Sequence, residues 1–206
     1  MYLFISGVQR TCTSILAHTL DTHRDISMTC EQNYFDVWTN LERRWLKNGT
    51  GDGVCMGVRR QHYENVIEMI NSGMMHSFTE FHNIRKPFTK YCGDKWMRAI
   101  HNIDWLDSKM DYKMILTRKD RDDTLASLRH FKPLQDKTMK ELEYMYDSKM
   151  EIMRELDKRK SVITVDAREF QKNPSDILGS IAHFLDIEND FDSSRVRVFE
   201  KRTLNN

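Results

Sequence analysis

Apolar residues in this chain fall into two spacings, and the two alternate from one end to the other. Short unbroken runs with aromatic or β-branched content read as strands at Tyr2–Ser6, Ile26–Cys30, Lys113–Thr117 and Ser161–Val165. A shorter one, Lys90–Lys95, ends in a charged tip. Helical spacing fills the gaps. It covers Ile15–Leu20, Val37–Leu46 (Trp38, Leu41, Trp45 and Leu46 on one side), His62–Ile70 with Gly73 suited to its end, and Met75–Ile84 ahead of Pro87. It resumes at Arg98–Leu106 and Asp122–Phe131. The longest stretch, Thr138–Arg159, puts Leu142, Met145, Tyr146, Met150, Met153 and Leu156 on its packing side. Pro174 opens the last helix, carried by Ile177, Ile181, Phe184 and Leu185. Asn48–Gly53 is the strongest turn cluster and predicts a mobile loop. From Asp190 a polar tail runs out to Arg195, Arg197, Lys201 and Arg202.

Strands alternating with helices predict parallel βαβ units. The expected fold is α/β and helix-rich, a parallel β-sheet flanked by helices on both faces. Three prolines and eight glycines in 206 residues agree with few long loops, and the length suits a single domain over residues 1–206. In open sheets of this kind the ligand lies at the carboxyl ends of the strands. The residues there are Gly7–Arg10, Glu31, Asp94 with Lys95, Arg118, and Asp166 with Arg168. They make a charged rim, which predicts a multiply anionic ligand.

The first strand stops at Gly7, and Gly7-Val-Gln-Arg-Thr-Cys-Thr-Ser14 leads directly into a helix. A strand, a turn and a helix in that order aim backbone N–H groups and the positive end of a helix dipole at one point, which is where a phosphate binds. Laid on the Walker A pattern G-x-x-x-x-G-K-[ST], the loop has Cys12 in place of the second Gly and Thr13 in place of the Lys. It keeps hydroxyls and a basic residue, Arg10, but lacks the Lys that reaches the β/γ-phosphates of ATP or GTP. The loop is of phosphate type without serving an ordinary NTPase.

Composition narrows the picture further. Basic and acidic residues balance at 32 and 31, for a net charge of +1, which argues against a dedicated nucleic-acid binder. No apolar run approaches the ~20 residues that span a bilayer. The N-terminus enters the first strand without a basic leader or cleavage site, so a cytoplasmic location is expected. Cys12, Cys30, Cys55 and Cys92 have neither metal-ligand spacing nor the density of a disulfide scaffold, and no metal site is expected.

Thr117-Arg-Lys-Asp-Arg-Asp-Asp-Thr-Leu-Ala-Ser-Leu-Arg-His130 brings a family into view. It resembles the strand and helix that bind the 3′-phosphate in sulfotransferases using 3′-phosphoadenosine-5′-phosphosulfate (PAPS). Gly7–Ser14 is similar to that family's G-x-P-R-S-G-T-[ST] loop, which cradles the 5′-phosphosulfate. Gly93-Asp-Lys95 looks like its G-D-K-T-P element, and Lys113-Met-Ile-Leu116 like its K-[FY]-I-x strand. Val165-Asp-Ala-Arg-Glu-Phe170, Asn173-Pro174 and Ile181-Ala-His-Phe-Leu185 are similar to its Y-E-D-L, D-P and I-x-x-F-L run. Gln9 stands where the loop usually has Pro. Arg118 lies nine positions before Ser127, where many members have eight.

The resemblance implies a P-loop NTPase-like sulfotransferase architecture, with residues 36–89 as a helical insert that sets acceptor specificity. It implies PAPS as cosubstrate and adenosine 3′,5′-bisphosphate as product, no metal, and transfer of a sulfuryl group to a hydroxyl of a carbohydrate, lipid, small molecule or tyrosine. Gly7, Arg10, Thr11, Cys12, Thr13 and Ser14 would hold the phosphosulfate, and Arg118 with Ser127 the 3′-phosphate. Arg10 and Lys95 would stabilise charge in the transition state, and Glu31 would serve as base, with His23, His82 and His101 as alternatives. Trp38, Trp45, Phe78 and Phe81 are expected in a core before an acceptor pocket. Two other readings stay open: a P-loop-type nucleotide kinase, and a non-catalytic nucleotide-binding protein of the same fold.

Overall fold

The computed structural model describes residues 1–31, 34–36, 39, 54, 55, 58–194 and 196, giving only the backbone course over 54, 55 and 58–70. In chain order the elements are β1 (Tyr2–Gly7), α1 (Thr13–Leu20), β2 (Ile26–Cys30), α2 (Arg60–Arg85), β3 (Tyr91–Lys95), α3 (Ile103–Lys109), β4 (Tyr112–Arg118), α4 (Arg121–Arg129), α5 (Met139–Leu156), β5 (Val162–Asp166), α6 (Ala167–Lys172) and α7 (Pro174–Leu185). The chain divides into two compact units, Met1–Gln32 with Thr89–Asn206, and Asn33–Phe88.

The larger unit is built on a five-stranded parallel sheet of order β2-β3-β1-β4-β5. Central β1 is apolar on both faces because both are covered, as parallel strands require. Leu3 and Ile5 point into a core shared with Leu16 and Leu20 of α1, Phe170 of α6, and Leu178, Ile181 and Leu185 of α7. Phe4 points the other way, edge-on to Trp96 and Tyr112 at centroid distances of 5.9 and 6.1 Å. The chain leaves β1 toward β2 on one side and later returns to β4 on the other, so the carboxyl end of β1 sits at the switch in strand order, where an open sheet leaves a crevice. Register brings Gly7 opposite Thr117, Cys30 opposite Lys95 and Arg118 opposite Asp166 along that edge.

Several boundaries differ from the sequence expectation. Arg98–Leu106 is a 3₁₀ turn at Ala99–His101 followed by α3, because Asn102 leaves helical geometry at φ −126°. Asp122–Phe131 starts one residue earlier at Arg121, capped by the Asp120 carboxylate on the N–H groups of Asp122 and Asp123. The long helix is held at Met139 by a capping box, Thr138 with Glu141. The tail after Asp190 is not wholly polar: Val196 is buried in the core.

In the smaller unit, α2 is one helix of 26 residues where two were expected, with Gly73 inside it. A mid-helix Gly costs roughly 1 kcal/mol relative to Ala, and no Pro interrupts the hydrogen-bond ladder before Pro87. Phe78 on α2 packs against Phe35, their ring centroids 4.8 Å apart, and Met74 of the same helix is fully buried. Phe78 is buried as expected of a core residue, whereas Phe81 is 48% exposed. The expected helix Val37–Leu46 with Trp38 and Trp45, the Asn48–Gly53 loop, and Arg195, Arg197, Lys201 and Arg202 lie outside the described residues, except Thr39, which is buried. Among the described residues no helix is long and apolar enough to cross a membrane.

Two glycines test this account in opposite directions. A Cβ on Gly73 would meet nothing within 4 Å, so Gly73→Ala should raise stability by about 0.5–1 kcal/mol. A Cβ on Gly93 would lie 2.4 Å from the backbone oxygen of Leu3, so Gly93→Ala should cost about 2 kcal/mol or more by forcing strands apart. Urea unfolding of both variants reads the two signs.

Candidate active site

The loop after β1 can turn as it does because Gly7 adopts φ +131°, with Thr117 beneath it. A Cβ there would lie 2.3 Å from the Thr117 carbonyl oxygen. Thr11 fastens the loop from the inside. Its fully buried hydroxyl donates to the Val8 carbonyl oxygen at 2.6 Å and sits 2.6 Å from Thr117 Oγ1. Arg10 and Cys12 then take left-handed backbone angles, φ 69° and 60°, and Cys12 caps α1. Glu31, where the chain leaves β2, is a third such residue at φ 57°. Non-Gly residues in this region cost of order 1–3 kcal/mol each and gather at functional sites. Here three of them border one cavity.

That cavity, of about 520 Å³, is lined by Gln9, Arg10, Cys12, Thr13, Ser14, Ile15, Glu31, Lys95, Met97, Lys119, Ser127, Phe131 and Gln171. Three cations face one carboxylate. Lys95, at the end of β3, has its side chain 5% exposed, and its ammonium lies 2.6 Å from Glu31 Oε1 and donates to Ser14 Oγ at 2.8 Å. Arg10 donates from Nε to Ser127 Oγ at 3.2 Å, its guanidinium 5.7 Å from the centre of the Phe131 ring. Gln171 donates to Cys12 Sγ at 3.1 Å. One layer below, Lys149 of α5 donates to Gln9 Oε1 at 2.7 Å. The whole arrangement stands over the amino end of α1, whose N–H groups and dipole favour an anion.

The structure thus brings together Arg10, Cys12, Thr13, Ser14, Glu31, Lys95 and Ser127. Gly7 and Thr11 shape the loop from beneath and do not line the cavity. Arg118 is exposed at the end of β4 and is not a lining residue, whereas Lys119 is. Not all of the expected rim faces the crevice. Asp94 is fully buried, accepting from Thr29 Oγ1 at 2.9 Å. Asp166 caps α6, and Arg168 is engaged by Asp123, whose carboxyl its guanidinium holds below the usual carboxylate range. His23 is buried against the Glu188 carbonyl, His82 is buried in the smaller unit beside the Phe78 ring, and His101 flanks Lys149. None of the three lines the cavity.

Sequence reasoning did not single out Lys119, Phe131, Gln171 or Lys149. For Lys119 a signal was present: it precedes Ser127 by eight positions, the spacing that many sulfotransferases show between their cation and Ser. Lys149 also left one, since it completes the 4-3-4-3 series Leu142, Tyr146, Lys149, Met153, Leu156 on the buried side of α5. Gln171 and Phe131 left none. Among the described residues no cluster of His, Cys, Asp or Glu could hold a metal ion.

No family model matches the chain, and no curated protein is significantly similar to it in sequence. Solved structures are similar in fold. A sulfotransferase from Alicyclobacillus acidocaldarius superposes with a TM-score of 0.57 at 16% identity, over 93% of this chain and 84% of that one. The sulfotransferase domain from the curacin biosynthetic pathway gives 0.63 at 11% identity, over 90% of this chain and 74% of that one. The sulfotransferase domain of the Synechococcus PCC 7002 olefin synthase gives 0.62 at 13%, over 95% and 75%. The fold is the P-loop-like sulfotransferase architecture, as the sequence resemblance implied.

The Thr11–Thr117 contact is the joint on which the loop depends. Thr11→Val leaves buried polar atoms of Val8 and Thr117 short of a partner and should cost about 1–3 kcal/mol. The double variant Thr11→Val/Thr117→Val should cost less than the sum of the single ones. A double-mutant cycle by denaturant unfolding measures this, and strict additivity would show that the two hydroxyls do not act as a pair.

Proposed function

We propose that the protein is a PAPS-dependent sulfotransferase that passes a sulfuryl group to a hydroxyl of a carbohydrate, lipid, small-molecule or tyrosine acceptor. The observation that carries this reading is the convergence of a Lys-less phosphate loop, three cations and one carboxylate in a single cavity at the carboxyl ends of the strands. Similarity of fold to several sulfotransferases supports it. Sulfuryl transfer makes an S–O bond to the acceptor oxygen and breaks the S–O bond to the bridging phosphate oxygen, which departs with the electron pair. Cations and N–H donors near that oxygen lower the barrier, and the residues suited to this are Arg10, Lys95 and the amides ahead of α1. The acceptor proton needs a base. Glu31 is the carboxylate of the cavity, and its pairing with Lys95 keeps it where both can bear on the same atoms.

The bisphosphate product has a 3′-phosphate to hold. Ser127 and Lys119 lie together in the cavity lining, so Lys119 has better support for that role than Arg118, with Arg10 adding a guanidinium bound to the same hydroxyl. Kinase chemistry finds less support, because Thr13 occupies the position of the Walker Lys. A cytoplasmic location goes with the proposal, and Cys30 and Cys92 are free thiols.

Calorimetric titration with adenosine 3′,5′-bisphosphate beside Mg-ATP tests the nucleotide half of this reading. The expected result is micromolar binding of the bisphosphate without Mg²⁺ and little response to ATP. Binding of Mg-ATP alone would replace the proposal with the kinase reading, and binding of neither would leave a fold without this chemistry. Lys119→Ala should weaken bisphosphate binding roughly tenfold or more, the loss of one charge-assisted contact, while Arg118→Ala changes it by less than about threefold. Glu31→Gln should leave binding within about threefold and lower turnover by roughly 10²-fold or more. Normal turnover in Glu31→Gln removes Glu31 as the base.

A further inference from the structure

Lys149 is a charged residue in an apolar position. It sits on the packing side of α5 between Tyr146 and Met153, is 8% exposed, and forms no ion pair with a carboxylate among the described residues. Its one side-chain hydrogen bond among the described residues goes to Gln9 Oε1 at 2.7 Å, and Gln9 lines the cavity within the phosphate loop. A buried ammonium with only a neutral amide for company is costly, and a Met at this position would pack without that cost. Among the described residues the charged group that bears on it is Arg98, and Lys149 in turn bears on His101, both on the segment between β3 and α3. Neither is acidic. What such an ammonium lacks is negative charge, and the point at which α1 and the loop favour an anion is one side chain away.

We infer that Lys149 is the positioning residue of the phosphate loop: through Gln9 it fixes the loop, and its charge adds to the affinity of whatever anion the loop holds. The inference rests on the proposed nucleotide site for the identity of that anion, though not for the tether itself. Burial, and then the nearby Arg98, push the Lys149 ammonium down to about 8. Its charge is therefore largely present at pH 7 and mostly gone at pH 9. An anion in the loop favours the charged form, so binding at pH 8 should draw a proton onto Lys149, and affinity should fall as pH rises from 7 to 9. His101 does not supply this dependence, since burial and the cations of Lys149 and Arg98 hold its imidazole below the usual range and neutral throughout the window.

The experiment titrates the whole protein and its Lys149→Met and Lys149→Arg variants with adenosine 3′,5′-bisphosphate at pH 7, 8 and 9, in buffers of different ionisation enthalpy. Expected are a several-fold loss of affinity from pH 7 to 9 and net proton uptake at pH 8 in the wild type. Lys149→Met should bind about tenfold more weakly at pH 7, with a flat profile and no uptake. Lys149→Arg should restore affinity and keep it at pH 9. Unchanged affinity and pH dependence in Lys149→Met overturns the inference. Hydrogen exchange of the ligand-free loop, residues 8–14, gives a reading that needs no nucleotide. It should quicken in Lys149→Met, and equally in Gln9→Ala, the variant to use should the first not fold. If the wild type binds no bisphosphate, the sulfotransferase reading fails, and this exchange alone decides the tether. Quickened exchange keeps it, and unchanged exchange removes it.

Discussion

Close approach of the loop backbone to β4 at Gly7 is the constraint on which the site depends. Because Gly7 faces the Thr117 carbonyl with no side chain between, the chain can reverse within a few residues of β1. α1 then begins over the centre of the sheet. A residue with a Cβ would push the loop outward and carry the α1 N-terminus away from Lys95 and Ser127. The Thr11–Thr117 contact secures the same joint from within. Geometry set by parallel strand register, Gly7 against Thr117 and Cys30 against Lys95, is thereby turned into the placement of chemical groups.

That placement is bought with strain and charge. Arg10, Cys12 and Glu31 hold left-handed backbone angles that none of their side chains favours. Left-handed Cys12 is informative because the Walker A pattern has Gly there: this chain takes the conformation although the residue best suited to it is absent. Its thiol is partly buried against the core and accepts a hydrogen bond from Gln171, contacts that a Gly would forgo. The chain holds the turn by packing as much as by backbone preference.

The fold was legible because covered parallel strands must be apolar runs and the helices between them must be amphipathic, and both patterns survive in a single sequence. β2 was read to the residue, as Ile26–Cys30. What failed has definite causes. Ile100, Ile103 and Leu106 are spaced by three, which suits a 3₁₀ turn as well as an α-helix, so the break at Asn102 left no mark. Gly73 was read as an end because Gly ends helices more often than it crosses them. Val196 was lost in a basic tail, since one apolar residue carries no period. In the site, the loop and the charged strand ends were readable, because chemistry at the edge of a parallel sheet follows from topology. Which of Asp94 and Lys95 turned outward was not, because that depends on the neighbouring strand, where Thr29 waits for the Asp94 carboxylate. Arg118 and Lys119 are adjacent, and only the path of the chain into α4 decides which of them borders the cavity.

Charge balance across the loop joins these points. Arg10, Lys95 and Lys119 border a cavity with one carboxylate, and Lys149 lies a layer beneath with none. Over the whole chain the charges nearly cancel, so the excess at the loop is local. Apart from Glu31, the acids nearest the strand ends are spent elsewhere: Asp120 and Asp166 cap helices, Asp123 holds Arg168, and Asp94 is turned inward to Thr29. Each arrangement is ordinary by itself. Together they remove from the crevice the carboxylates that would otherwise neutralise it. Glu31 is the exception, and its side chain is more than half exposed, so solvent screens much of what it offers Lys95. A ligand bearing several negative charges would relieve the cations of the lining and the ammonium below them at once. The burial that makes Lys95 and Lys149 costly when unmatched also makes them strong toward an anion, because the low dielectric that penalises an unmatched charge also strengthens its attraction to a matched one.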